Sequence, residues 1–259
     1  MTDEVKGVPN PLRTCQRHST PKTYVGSGEF GVWLCPQCSD EGDEKKREHE
    51  AERRRIEKAR RQADINRRLD NAMIAPRFSG KTFAGYVAGT DAQAEVLRSM
   101  REFYDLLADG ARPAGLILTG RPGTGKNHLA CALVNDAVTN LGMTGLVTTA
   151  MKITREIKAS WREGGEQKVL RSFVEPDLLV VDEIGVQFAS ETELVYLTEI
   201  INDRYEWLRP TVLLSNLPIT GAQSLTSVLG SRAIDRFKDG GKVLVFNWES
   251  YRGVNGKGK

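Results

Sequence analysis

Residues Gly120–Asn127, reading GRPGTGKN, follow the apolar run Gly115-Leu116-Ile117-Leu118 and precede His128-Leu129-Ala130-Cys131-Ala132-Leu133-Val134. The first run reads as a buried strand and the second as a helix. A glycine-rich segment of this spacing between such a strand and helix is a phosphate-binding loop. Gly120, Gly123 and Gly125 let successive N–H groups turn inward at phosphate oxygens, where the helix N-terminus adds favourable partial charge. Arg121, Pro122, Thr124 and His128 complete the segment expected to wrap a nucleoside triphosphate, and Lys126 neutralises its β- and γ-phosphates. The next position ordinarily supplies a hydroxyl to Mg²⁺. Asn127 offers only an amide carbonyl, a larger ligand of less usual geometry, so weakened or slowed metal-dependent hydrolysis is expected.

Two further strands end in polar residues. Leu178-Leu179-Val180-Val181-Asp182-Glu183 places two carboxylates at the C-terminal edge of a sheet, beside the phosphates. Asp182 is expected to hold Mg²⁺ and Glu183 to polarise the attacking water. Thr211-Val212-Leu213-Leu214-Ser215-Asn216 ends in a candidate phosphate sensor, Asn216. With a strand at 144–148, these elements predict an α/β fold, a phosphate-loop core with a parallel sheet flanked by helices.

The N-terminal part carries Cys15-x2-His18 and Cys35-x2-Cys38, separated by sixteen residues, which is zinc-ligand spacing. Tyr24-Val25 and Val32-Trp33 can form a hairpin between the two pairs. A fold this small needs the metal for stability, and a disulfide does not suit a reducing cytosol. Cys131, among apolar residues, reads as core. From Asp43 to Arg68 there are eleven Lys or Arg against seven Asp or Glu, with no Pro or Gly. The signs interleave and apolar residues are sparse, so a long exposed helix is expected. It is either a solvated connector or a docking surface for protein or nucleic acid. The resulting division is a zinc module over 1–42, a charged helix over 43–73 and an ATPase domain over 74–259.

Met151 to Phe173 has a helical pattern, with Ile153, Ile157 and Trp161 on one face and Lys152, Arg155, Lys158 and Arg162 on another. The basic face is either a solvated surface or a phosphate-tracking stripe for single-stranded DNA. In 191–208, Leu194, Leu197, Ile201, Tyr205 and Leu208 form a core stripe. No apolar run approaches the roughly 20 residues that span a bilayer, and the N-terminus lacks a signal-peptide pattern, so a cytoplasmic protein without membrane contact is expected. A net charge of +3 is too small to argue nucleic-acid binding by itself.

Taken together, these residues resemble the AAA+ ATPases, and within them the DnaC-type loaders of bacterial replicative helicases. GRPGTGKNHLA carries the resemblance furthest, because those loaders share the Asn after the Lys, whereas the related IstB-type transposition ATPases usually have Thr. Ile74-Ala75-Pro76-Arg77-Phe78 ahead of Thr82-Phe83, Ser231-Arg232-Ala233-Ile234-Asp235-Arg236-Phe237, and Phe246-Asn247-Trp248-Glu249-Ser250-Tyr251-Arg252 also match. The resemblance implies that Arg236, with Arg232 next, is an arginine finger reaching a neighbouring subunit's nucleotide, and that Arg252 is a second sensor within its own chain. It further implies an ATP-dependent oligomer, a helix at 151–173 lining a channel for single-stranded DNA, and an N-terminal region that grips the hexameric DnaB-type replicative helicase. Most AAA+ proteins follow the core with a helical lid. Here only a strand-like Val243-Leu244-Val245-Phe246 and a short tail come after Phe237, so closure over the nucleotide is expected to depend on a neighbour.

The function expected is ATP-dependent loading of the replicative helicase onto single-stranded DNA, by a slow, switch-like ATPase that uses ATP, Mg²⁺ and Zn²⁺. Two alternatives stand beside it. One is an IstB-type ATPase that regulates a transposase on duplex DNA; the other is a non-hydrolysing, nucleotide-dependent adaptor.

Overall fold

The computed structural model describes residues 13–26, 32–185 and 191–251, and for residues 24, 163 and 191–193 the backbone only. The chain forms two compact units, residues 1–63 and 64–259, whose boundary lies within one long helix. In the first unit, β1 (Thr23–Val25) pairs antiparallel with β2 (Val32–Leu34), with Tyr24 opposite Trp33 and Val25 opposite Val32. This is the expected hairpin. Helix α1 (Pro36–Asn71) buries none of its residues, as its interleaved charges require. Near its end, Asp64 receives both Arg67 and Arg68 from the following turn.

The second unit is a three-layer sandwich. Its sheet comprises β3 (Gly115–Gly120), β4 (Gly145–Thr149), β5 (Leu178–Ile184), β6 (Thr211–Ser215) and β7 (Lys242–Phe246), in the order β4-β5-β6-β3-β7. All four pairings are parallel. Because side chains alternate across a strand, Leu116, Leu118, Leu178, Val180, Val212 and Leu214 pack on one face with α2 (Asp91–Ala108) and α3 (Lys126–Leu141). Ile117, Leu179, Val181 and Leu213 pack on the other with α4 (Ala150–Ser160), α5 (Glu166–Val174), α6 (Glu191–Glu206), α7 (Leu225–Leu229) and α8 (Ser231–Arg236). Both faces being covered, the strands read as continuous apolar runs. Helix α2 opens on a capping box, in which Thr90 Oγ1 accepts from Gln93 N–H and the Gln93 side chain accepts from Thr90 N–H.

Two expectations need correcting. Residues 151–173 form two helices rather than one, divided by a 3-10 turn at Trp161–Glu163 and by Gly164 at φ 64°. Gly165 N–H closes that break by donating to Ser160 O at 3.2 Å. The glycine takes up the left-handed conformation that ends a helix, and Trp161 leaves the Ile153–Ile157 face to lie 48% exposed. In α6 the buried face is Leu197, Ile200, Ile201 and Arg204. Leu208 lies past the helix end at φ 51° and is exposed.

Arg204 is fully buried. Its guanidinium donates to Phe173 O (3.1 Å), Val174 O (2.8 Å), Pro176 O (2.7 Å), Pro210 O (2.7 Å) and Thr211 Oγ1 (2.9 Å). The first two carbonyls belong to the last turn of α5, where no intrahelical donor remains. Nη1 shares its two hydrogens among three of these carbonyls, while Nη2 and Nε serve one acceptor each, and the end of α5 is pinned to the start of β6.

Candidate nucleotide and metal sites

The phosphate loop lies between β3 and α3, as its spacing requires. Gly120 sits at φ 133°, where an added Cβ would lie 2.2 Å from Phe246 O on the neighbouring strand. Gly125 sits at φ 100°, with Tyr86 Cε2 2.7 Å from such a Cβ. No side chain fits at either position. The loop is braced from outside: Arg121 N–H donates to Phe246 O (3.1 Å), Tyr251 N–H to Gly123 O (3.0 Å) and Trp248 Nε1–H to Thr124 O (2.9 Å). Tyr86, buried against the loop, has its phenol held above the usual range by desolvation. It packs edge-on to His128 and Tyr251. His128 Nε2–H donates to Thr82 O (3.0 Å), and burial pulls its imidazole below the usual value.

Inside the loop, the buried Lys126 ammonium donates to Gly120 O (2.7 Å), Arg121 O (2.7 Å) and Asn216 Oδ1 (3.0 Å). Lys126 and Asn216 come from segments ninety residues apart in the chain. They meet because β3 and β6 are neighbours in the sheet. Beside them, Asn127 Nδ2–H donates to Asp182 Oδ2. Asp182 Oδ1 in turn accepts the backbone N–H of Glu183 at 2.7 Å. Glu183 is exposed and adopts φ 61°, at an irregularity in the β5–β6 ladder between Val181 and Ile184. A left-handed conformation is uncommon for a non-glycine residue. It turns the strand so that adjacent carboxylates leave β5 in different environments, one half-buried on Asn127 and one in solvent.

The residues of α8 are placed elsewhere. Arg236 donates to Asn202 Oδ1, approaches Glu206 at 3.9 Å and covers the Tyr205 ring at 5.0 Å, all on α6. Among the described residues its contacts are with α6 and not with the phosphate loop of its own chain. Arg232 is exposed on the same short helix, and Arg252 lies outside the described residues. Lys152, Arg155 and Lys158 are exposed on α4 and Arg162 on the turn after it. A cleft of about 300 Å³ opens at the base of α4, lined by Met73, Phe78, Asn127, Met151, Lys152 and Asp182 among others. Cys131, on α3, is core, and burial pushes its thiol up to about 12.

In the N-terminal unit, Cys15, His18, Cys35 and Cys38 bring their four donor atoms within 4.8 Å of one another. Tetrahedral zinc, with Zn–S of about 2.3 Å and Zn–N of about 2.0–2.1 Å, sets donors roughly 3.5–3.8 Å apart. Cys15 Sγ lies 3.7 Å from both Cys38 Sγ and His18 Nδ1, and His18 Nδ1 is 3.6 Å from Cys35 Sγ and 3.2 Å from Cys38 Sγ. The four residues could therefore hold a zinc ion. The Thr20 hydroxyl, 3.2 Å from Cys35 Sγ, and the Cys38 backbone N–H bring the Cys35 thiol down to about 6, whereas the Cys15 thiol pushes the neighbouring Cys38 thiol up to about 11, so the donor geometry and not the thiol titration carries the metal reading.

The sequence pointed to most of these groups by type and spacing. It gave no sign of Arg204, nor of the aromatic brace made by Tyr86, Trp248 and Tyr251. The last two sit in the Phe246–Arg252 match, but only the fold shows them gripping the loop.

A parallel sheet with a phosphate loop at the end of a central strand, and an acidic pair at the end of the strand two away, defines the class of nucleotide-binding P-loop ATPases. Comparison with known proteins narrows this further. The family model for IstB-like ATP binding protein matches residues 55–257, and the chain belongs to that family. It is 34% identical over 206 residues to the replicative helicase loader DnaC of Escherichia coli (strain K12), covering 78% of this chain and 82% of the relative. The replicative helicase loader DnaC of Buchnera aphidicola subsp. Baizongia pistaciae is 33% identical over 192 residues, covering 73% of this chain and 76% of the relative. Among solved structures, the crystal structure of the DnaC helicase loader superposes with a TM-score of 0.59 at 24% identity, covering 66% of this chain and 99% of that one. At that identity the superposition speaks for the fold.

Proposed function

We propose that this protein is an ATP-controlled loader of a replicative helicase onto single-stranded DNA. The observation that carries the reading is the assembled GRPGTGKN loop in a chain 34% identical, over most of its length, to a relative named as a replicative helicase loader. Residues 74–259 act as the ATPase domain, with 1–42 as a zinc module and 43–73 as the connecting helix.

In this reading Lys126 swings from its carbonyl partners to the β- and γ-phosphates, while Asn216 stays beside it to sense the γ-phosphate. Asn127 and Asp182 would hold Mg²⁺, which would supply neutralisation of phosphate charge during transfer. For that, the Asn127–Asp182 hydrogen bond has to open, since the amide now occupies a carboxylate oxygen. Glu183, exposed next to Asp182, is placed to polarise the attacking water. Arg236, bonded to α6, and the exposed Arg232 would reach a neighbouring subunit's nucleotide, which ties turnover to assembly. Turnover is slow because Asn127 replaces the usual hydroxyl. Lys152, Arg155, Lys158 and Arg162 contact DNA phosphates, and the N-terminal unit selects the helicase.

Capture of the replicative helicase from the same source tests this reading. The tagged full chain is expected to retain the helicase with ATP, and Lys126→Ala to lose the dependence on nucleotide. Retention of duplex DNA or a transposase in place of the helicase would favour the transposition role.

A further inference from the structure

His18 presents Nδ1 to the three thiols and leaves Nε2 pointing the other way, where Glu41 Oε1 stands 3.0 Å off. Glu41 lies one turn beyond Cys38 in α1, so the same helix that supplies a sulfur donor also supplies a carboxylate behind the imidazole. The second oxygen of Glu41 is held by Arg17 at 3.1 Å, from the residue next to His18. The carboxylate is thus fixed from both sides. A metal-ligating imidazole generally donates its other ring N–H to such a group, which sets the tautomer and ring orientation. The Nδ1 that faces Cys15, Cys35 and Cys38 must be unprotonated to bind a cation, and in the neutral imidazole an Nε2–H donated to Glu41 selects the tautomer with Nδ1 free of a proton.

We infer that Glu41 is the positioning residue of the metal site, holding His18 in the Nδ1-ligating tautomer, and that Arg17 clamps it there. This rests on the zinc reading of the Cys₃His cluster. It also makes the first turns of α1 part of the metal site: Cys38 and Glu41 approach the centre from one helix, and His18 and Arg17 from the loop before the hairpin.

The test is zinc affinity of the full chain by competition with a chromophoric chelator, for wild type, Glu41→Gln and Glu41→Ala, with Co²⁺ spectra and imidazole ¹⁵N shifts of His18 alongside. Loss of such a partner weakens metal binding by about 10–100-fold. Glu41→Ala is expected to fall in that range. Glu41→Gln, whose amide oxygen still accepts the Nε2–H, is expected to lie between it and wild type, with a tetrahedral Co²⁺ spectrum and an Nδ1-bound His18. Wild type that binds one zinc as tightly as Glu41→Ala and Glu41→Gln would overturn the role of Glu41 while leaving the zinc site standing. Wild type that binds no zinc would overturn both.

Discussion

Lys126 and Asn127 are adjacent on the first turn of α3, yet they engage different strands: Lys126 reaches Asn216 beyond β6, and Asn127 reaches Asp182 in β5. The second contact makes a specific prediction. In Asn127→Thr the amide that occupies Asp182 is gone and a hydroxyl of ordinary Mg²⁺-ligand type stands in its place. Mg²⁺ titrations of ATP turnover should then show tighter metal dependence or faster hydrolysis; an unchanged Mg²⁺ profile would show that position 127 is not a ligand. Arg204 supports a prediction of a different kind. Replacing it with Met removes the Arg204 donor from four carbonyls and a hydroxyl inside the protein; among the described residues, Pro210 O alone keeps a second donor, the Leu179 N–H. A loss of ~3–5 kcal/mol in urea unfolding is expected, with Arg204→Lys recovering only part because an ammonium has three donors. A loss below ~1 kcal/mol would mean that those carbonyls find other partners. Arg204 was not legible in the sequence, for a physical reason. A charged residue on an otherwise apolar stripe reads as the edge of the solvent face, and only the three-dimensional meeting of the end of α5 with the start of β6 turns it into a core position.

At the scale of elements, the phosphate loop, the two polar-ended strands after it and the hairpin between the Cys/His pairs were all readable in the sequence. Each rests on short-range spacing that sterics enforce: glycines at left-handed positions, four to six apolar residues covered on both faces, and ligand pairs on tight turns. The break between α4 and α5 was carried by Gly164 and Gly165, but the four-residue recurrence of Ile153, Ile157 and Trp161 outweighed it. Glu41 could not be found from spacing at all, because its meaning depends on where His18 points. The basic stripe on α4 and its following turn is exposed throughout. If all four cations contact phosphates, log affinity for single-stranded DNA should lose about 0.7 of slope against log salt per contact removed. A variant with Lys152, Arg155, Lys158 and Arg162 all replaced by Ala should therefore flatten the slope by about 2–3. An unaltered slope would assign the stripe to solvent.

For the whole molecule, the question is what nucleotide turnover does. Glu183→Gln keeps the size and exposure of the side chain and removes its basicity. ATP binding should persist while turnover falls by about 10²-fold or more. Equal background phosphate release from wild type and variant, both binding ATP, would point to the non-hydrolysing adaptor instead. The described residues include no helix long and apolar enough to cross a membrane. The N-terminal unit carries the exposed apolar hairpin residues Val25, Val32, Trp33 and Leu34 and an unburied charged helix. The second unit carries the nucleotide site. In the proposed division of labour, the first chooses a partner and the second times its release.

The measurement that tests this most directly is the amount of replicative helicase ring transferred to a covalently closed single-stranded DNA circle, which has no end to thread. With ATP, the full chain is predicted to raise the helicase bound to the circle well above that of the helicase alone, and Lys126→Ala to abolish the gain. A closed circle that acquires no more helicase with the protein and ATP than without them would contradict the loader account.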